Sequence, residues 1–290
     1  MHCLYPITIR NPKWISGSVG VPFYIQVPCG RCIACQERRR SAWAFRMYQE
    51  AYLSSDLTLF VTLTYNDENV PKTSQGHLTL DRSALQKFMK RLRKNTKSNF
   101  SYRYFGCGEY GSSSDATHRP HYHIILFCKD SSTFVDFFRV RELVESAWQF
   151  GFISVSPCPP SDESSINRFR YVAKYVCKVG FSDDQDVDDE VQKPFALMSL
   201  KPGIGAEYLS DDILRYIMEN DDFGEYIGKE AISLPRYFID KLPEHLRRHH
   251  SKGIQRLFEE RDDRAQENNL RFTSVAYQSL QKDISKALYP

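Results

Sequence analysis

His118-Arg119-Pro120-His121-Tyr122-His123-Ile124-Ile125-Leu126-Phe127 ends in aromatic and β-branched residues without a breaker, behind a loop that closes on proline. That tail reads as a buried strand over 121–128. Alternate side chains of a strand share a face, so His121 and His123 point the same way. Two imidazoles side by side on a rigid strand can ligate a divalent metal. A bare His-x-His is also the ordinary polar edge of a strand, and the pattern alone does not separate the two.

The flanking segments supply the rest of a sheet. Leu57, Leu59, Val61 and Leu63 alternate with Thr58, Phe60, Thr62 and Thr64, as in a half-buried strand, and Asn66-Asp67-Glu68-Asn69 ends it. Asp81 can cap a helix whose Leu85, Phe88, Met89 and Leu92 share one face, with Lys87, Lys90, Arg91, Arg93, Lys94 and Lys97 around it. Tyr102 to Cys107 reads as a second strand, and Gly108-Glu109-Tyr110-Gly111 leads into a polar loop. A helix near 133–148 carries Val140, Leu143, Val144, Ala147 and Trp148 on one side; Gly151 breaks it, and Phe152 to Val155 makes a fourth strand. The order β-α-β-β-α-β predicts an α+β fold of the ferredoxin-like type, an antiparallel sheet with both helices on one face. The other face is expected to stay open, lined by Thr62, Thr64, His121 and His123.

At 290 residues, 41% hydrophobic and 26% charged, the chain can form one large domain or two smaller ones and lacks the composition of a disordered protein. Its net charge of +3 names no partner. Arg38-Arg39-Arg40 and the cationic run over 87–97 are followed by an acidic strip, Asp183-Asp184, Asp186 and Asp188-Asp189-Glu190. That split suits a polyanion-binding surface, or merely solvated helix faces. No stretch approaches a membrane span and residues 1–14 lack the apolar run of a signal peptide, so a cytoplasmic setting with reduced cysteines is expected. The sequence has no Walker-type loop, so no on-board ATPase motor is expected.

Three of the eight cysteines stand in Pro28-Cys29-Gly30-Arg31-Cys32-Ile33-Ala34-Cys35. Thiolates so close can hold zinc or an iron–sulfur cluster, with Cys3 as candidate fourth ligand. They could equally be unligated thiols at the start of a helix that runs from Cys35 to about Leu53. Downstream, Phe169, Val172, Ala173 and Val176 mark the apolar stripe of another helix. Tyr171 and Tyr175 stand one turn apart on it, ~6 Å along the axis, flanked by Lys174 and Lys178.

In combination these pieces resemble the HUH endonucleases. Phe60-Val61-Thr62-Leu63-Thr64-Tyr65 looks like the family's first motif, His121-Tyr122-His123 like the second, and Tyr171-Val172-Ala173-Lys174-Tyr175-Val176 like the third in its two-tyrosine form. The cysteine segment, Gly108-Glu109-Tyr110-Gly111 and the stretch from Leu197 to Gly205 narrow the likeness to the replication initiators of microviruses, the gokushoviruses above all. The likeness runs over roughly residues 28–245.

What the resemblance implies is a rolling-circle replication initiator that nicks single-stranded origin DNA and rejoins it through a 5′-phosphotyrosine link. Mg²⁺ or Mn²⁺ would sit on His121 and His123. A carboxylate is expected as third ligand, and Glu109 is chosen because its strand should hairpin into the histidine strand; His118 is the fallback. Tyr171 and Tyr175 would be the nucleophiles, one ready to cut while the other is occupied, with Lys174 and Lys178 favouring the phenolate or steadying phosphate charge. The basic helix faces would grip phosphates. Partners would be the origin strand and a host helicase and polymerase, in the cytoplasm of an infected bacterium. The expected domains are a Cys-rich segment and helix over 1–55, an endonuclease core over 56–181, and a C-terminal extension of unassigned role over 182–290. The rivals are a non-catalytic single-stranded-DNA-binding protein on the same fold and a one-tyrosine HUH transposase. A histidine-triad nucleotide hydrolase would need a third histidine where Ile125 stands.

Overall fold

A computed structural model describes residues 3–17, 19–96, 100–111, 118–130, 135–178, 189–220, 224–227 and 230–248. The chain divides into two compact units, Met1–Arg39 with Ile239–Pro290, and Arg40–Phe238. In the first, β1 (Ile7–Arg10) pairs antiparallel with β2 (Tyr24–Val27), and Trp14 packs edge-on against Phe23 with ring centroids 4.7 Å apart. Helix α1 (Ile33–Leu53) starts in this unit and continues into the second.

The second unit holds β3 (Leu57–Tyr65), α2 (Arg82–Asn95), β4 (Phe100–Tyr110), β5 (Pro120–Asp130), α3 (Phe137–Ala147), β6 (Gly151–Pro157), α4 (Glu163–Lys178) and β7 (Phe195–Met198). The sheet order is β6-β3-β5-β4-β7, antiparallel throughout. Its first four strands have the ferredoxin-like arrangement that the element order predicts. Strand β7, unread in the sequence, extends the sheet beyond β4. Further on lie α5 (Asp211–Asn220), a hairpin of β8 (Gly224–Ile227) and β9 (Glu230–Ser233), and the single turn α6 (Arg236–Ile239).

Period-two alternation decides which side of each strand meets the helices. Leu59, Val61 and Leu63 of β3 and Tyr122, Ile124 and Leu126 of β5 are fully buried in one core with Leu85, Phe88, Met89 and Leu92 of α2 and Val140 and Val144 of α3. Asp81 caps α2 by accepting from the Ser83 N–H at 2.7 Å, and Asp136 caps α3 through Phe138 and Arg139. Tyr122, between the two histidines, turns into this core. Its hydroxyl donates to the Asp81 carbonyl at 2.8 Å and lies 2.7 Å from the Tyr65 hydroxyl, which ties the histidine strand to the start of α2.

The opposite face, which the sequence reading expects to stay open, is in fact largely covered. Phe105, Cys107 and Ile125 project there and are fully buried. Trp43 of α1 packs on Phe105 with centroids 5.2 Å apart, and α4 lies over β4, β5 and β7. The reason is elementary: a row of Phe105, Ile125 and Phe127 is too apolar to leave in water, and the amphipathic helices before and after the core cover it. Among the described residues of this face, only the flank formed by β3 and β6 stays accessible, with Thr62 and Thr64 half-buried and Phe152 and Ser154 exposed. Helix α2 packs on the other face, so its cationic run stands across the sheet from the histidines and does not border them. Gly151 opens β6 at φ 153°, where a Cβ would come within 2.4 Å of the Thr64 carbonyl oxygen. Only glycine fits that approach, and it sets the strand that follows.

Candidate active site

Strand register builds the centre. Glu109 of β4 lies directly across from His121 of β5, and Cys107 across from His123. Cross-strand partners share a face, so the carboxylate and both imidazoles meet on the side away from the core. Glu109 lies near the end of β4, which runs past Cys107 to Tyr110. The Glu109 Oε1 is 3.3 Å from His121 Nε2 and 2.8 Å from His123 Nε2. Glu109 itself is only 4% exposed. His118, the fallback ligand, is exposed in a left-handed conformation at φ 39° and is not part of the cluster.

The outer nitrogens explain why the inner ones converge. His121 Nδ1 is 3.0 Å from the Arg119 carbonyl, which can only accept, so Nδ1 carries a proton. His121 Nε2 then meets a carboxylate oxygen with a lone pair unless a proton or a cation lies between. His123 Nδ1 has the Thr62 hydroxyl at 3.0 Å, in the same orienting role, and its ring stacks on Phe60 with centroids 5.3 Å apart. Burial would raise Glu109, but hydrogen bonds from His121, His123 and Tyr171 bring it down to about 2; burial would lower His121, but the Glu109 carboxylate raises it. Two imidazoles and one buried carboxylate, held by β4, β5 and their neighbours, fit a divalent metal ion.

Helix α4 brings the tyrosines in from above. The Tyr171 hydroxyl donates to Glu109 Oε1 at 2.6 Å, and its ring lies edge-on to His123 with centroids 5.2 Å apart. Burial and the hydrogen bond to Glu109 both push the Tyr171 phenol well up, which keeps it protonated there. Tyr175 packs against Tyr171, 6.0 Å between centroids, and is 3% exposed. The Lys174 ammonium stands 4.0 Å from the Tyr171 ring centroid and 5.0 Å from that of Tyr175. The Lys178 side chain lies outside the described residues. So do Lys97, the acidic residues 183–188, His249 and His250, and 255–290.

The sequence alone places Thr62 on this face, but it does not bring Phe60, Arg119 or Arg168 to the site. Arg168 stands over the Phe60 ring at 5.3 Å and donates to the Ser156 hydroxyl at 3.2 Å. Phe60 carries a signal, since it opens the first motif; Arg168 carries none.

In the first unit, Cys3, Cys29, Cys32 and Cys35 place their four sulfurs within 4.8 Å of one another. Backbone N–H groups point at them: Cys29 to the Cys3 sulfur at 3.2 Å, Cys32 and Arg31 to that of Cys29 at 3.3 and 3.4 Å, and Leu4 to that of Cys32 at 3.4 Å. The N–H groups of Cys32 and Arg31 draw the Cys29 thiol down to about 6, and burial pushes Cys35 up to about 12. Four thiols with amide donors aimed at the sulfurs fit a thiophilic metal ion.

Residues 58–180 match the family model of the replication-associated protein ORF2. The chain is similar to phage replication-associated proteins. It is 25% identical over 270 residues to the replication-associated protein ORF2 of Spiroplasma virus 4, covering 83% of this chain and 80% of that one. It is 26% identical over 267 residues to the replication-associated protein VP4 of Bdellovibrio phage phiMH2K, covering 83% and 76%. A third, the replication-associated protein ORF4 of Chlamydia phage 1, is 28% identical over 171 residues, covering 54% and 39%. No solved structure matches. The microvirus likeness read from the motifs is borne out, and the family match ends just beyond the tyrosine helix. Among the described residues no helix is long and apolar enough to cross a membrane.

Proposed function

We propose that the chain initiates phage DNA replication by nicking a single-stranded origin and rejoining it. One observation carries this reading: the Tyr171 hydroxyl and both histidine Nε2 atoms converge on the same oxygen of Glu109. Nucleophile and electrophile site are thereby brought to one point, the first requirement for in-line attack on a phosphate. The names of the relatives supply the replication context.

His121, His123 and Glu109 would hold Mg²⁺ or Mn²⁺, which supplies Lewis-acid polarisation of the scissile phosphate. Two imidazoles favour the softer Mn²⁺, while the carboxylate accepts either. Arg119 and Thr62 fix the ring orientations. Tyr171 Oη forms a bond to phosphorus as the P–O3′ bond breaks; the phenol loses its proton and the leaving 3′ oxygen gains one. The product is a 5′-phosphotyrosine and a free 3′-OH, so strand joining by the reverse step needs no nucleotide energy. Lys174, over both rings, offsets the charge that develops on either phenolate. Tyr175 would serve the second cut. Strand separation and synthesis are assigned to a host helicase and polymerase, in the infected cell's cytoplasm.

The test is a nicking assay with origin oligonucleotides labelled at either end, with Mn²⁺ or EDTA. A Mn²⁺-dependent covalent adduct is expected on the 3′-side fragment alone. Binding without adduct on every candidate origin would reduce the chain to a DNA-binding protein.

The four thiols of the first unit would hold a structural zinc. Purified protein should then carry one zinc per chain, and a strong chelator should lower its melting temperature. A metal-free preparation with unchanged melting would leave the cysteines as plain thiols.

A further inference from the structure

An exposed phenylalanine stands two strands away from the histidines. Phe152 is 69% exposed on β6, one of the two edge strands of the sheet. Single exposed apolar side chains are common and alone mean little. Register makes this one different. Phe152 lies across from Thr64, Thr64 across from His121, and His121 across from Glu109. Four strands therefore put Phe152, Thr64, His121 and Glu109 in one row on one face, with ~4.8 Å between neighbouring strands, so Phe152 stands ~10 Å from His121. The next row reads Ser154, Thr62, His123 and Cys107.

Helix α4 covers the β4, β5 and β7 side of these rows. On the other side Thr62 and Thr64 are half-buried, and Phe152 and Ser154 are exposed. This makes a shallow floor that leads from the metal-ligand cluster to the sheet edge. Glu109 is the only carboxylate in either row. Arg168 closes one end of the floor, its guanidinium bonded to the Pro157 carbonyl at 2.8 Å, and Lys174 overhangs the tyrosines. Neutral hydroxyls, one exposed aromatic face and bordering cations match an unpaired nucleic-acid strand: hydroxyls and cations for the backbone, the ring for a base.

We propose that Phe152 is the stacking platform for the base of a nucleotide next to the scissile phosphate, and that single-stranded DNA crosses from the His121–Glu109 pair over Thr64 to the β6 edge. This rests on the nickase reading for where the phosphate sits, and it adds the direction of the strand and a residue that positions it. Stacking is indifferent to base identity, so Phe152 holds the strand without reading its sequence.

The test measures binding apart from chemistry. Full-length Tyr171→Phe protein in EDTA is titrated with fluorescent origin oligonucleotides, intact or with one abasic position near the cleavage site, and Phe152→Ala and Phe152→Tyr are added to it. Phe152→Ala should weaken binding of the intact strand ~5- to 100-fold, and Phe152→Tyr should restore it. One abasic position should cost as much in the Phe152 protein and nothing further in Phe152→Ala. Equal affinities with and without Phe152, or a loss shared by all abasic positions, would overturn the platform. So would a Phe152→Ala protein that changes only from dimer to monomer, since the ring would then be a contact between copies. If the coupling appears but wild type forms no adduct, Phe152 still stacks a base of the bound strand, while the nickase reading falls and with it the placement beside a scissile phosphate. If the adduct forms without the coupling, the nickase reading stands and the platform falls.

Discussion

Tyr171→Phe is expected to lower adduct formation by at least ~10³-fold, while Tyr175→Phe leaves the first cleavage near the wild-type rate. The two tyrosines are one turn apart on one helix face, yet their surroundings differ. Tyr171 has its hydroxyl 2.6 Å from Glu109, the oxygen on which both imidazoles converge. Tyr175 is 3% exposed, with its ring behind that of Tyr171. The Tyr171 phenol therefore starts beside the cluster, in contact with the oxygen the imidazoles share. A single-turnover assay on a labelled origin strand reads the first cut, and the joining of a second, differently labelled strand reads the next. Tyr175→Phe should make the first adduct and fail at the transfer that needs an unoccupied second tyrosine. Wild-type adduct rates in Tyr171→Phe would mean that Tyr175 cuts first and that the bond from Tyr171 to Glu109 has no part in the first cleavage.

The second large effect is on metal affinity, measured without DNA. Glu109→Gln should weaken Mn²⁺ binding at least ~100-fold by calorimetry, because an amide keeps the shape and one acceptor but removes the only charge among the three ligands. Thr62→Val should cost ~10-fold: it touches no metal, but it frees the His123 ring from its 3.0 Å partner. The two together separate ligation from orientation. Circular dichroism checks that both variants fold. Undiminished Mn²⁺ binding in Glu109→Gln would remove the triad as the metal centre.

Most of this site is legible in the sequence because β-sheet periodicity is so simple. Once residues 120–130 are a strand, His121 and His123 must share a face, and the hairpin back to residues 100–110 aims Glu109 at them. The α2 cap at Asp81 and the apolar stripes of α2 and α3 are legible for the same local reason. What stays hidden is tertiary. Nothing in the order of elements says that α1 and α4 close over the second face, because each stripe states that a helix must be buried and not against what. Strand β7 is illegible because four residues, Phe195 to Met198, make too short a run to show a period. Arg168 escapes because its partners Ser156 and Phe60 come from two other strands.

The position of β5 in the middle of five strands has a consequence for time scales. Between Thr64 and Leu57 on one side and Phe100 and Tyr110 on the other, its backbone is laddered on both edges. In a hydrogen-exchange experiment the amides of His121 and His123 would open only with the whole domain, although their rings are reachable from outside. Tyr171 and Tyr175 sit instead on a helix whose grip on the sheet is made of side chains, and the Arg40 bond to the Arg170 carbonyl at 3.1 Å is one strap across it. The metal-ligand cluster thus belongs to the part of the domain expected to exchange slowest, and the tyrosines to a helix held by side-chain contacts. On the two-tyrosine reading proposed above, replacing one tyrosine by the other would need the helix to shift over the sheet, with no rung of the sheet broken.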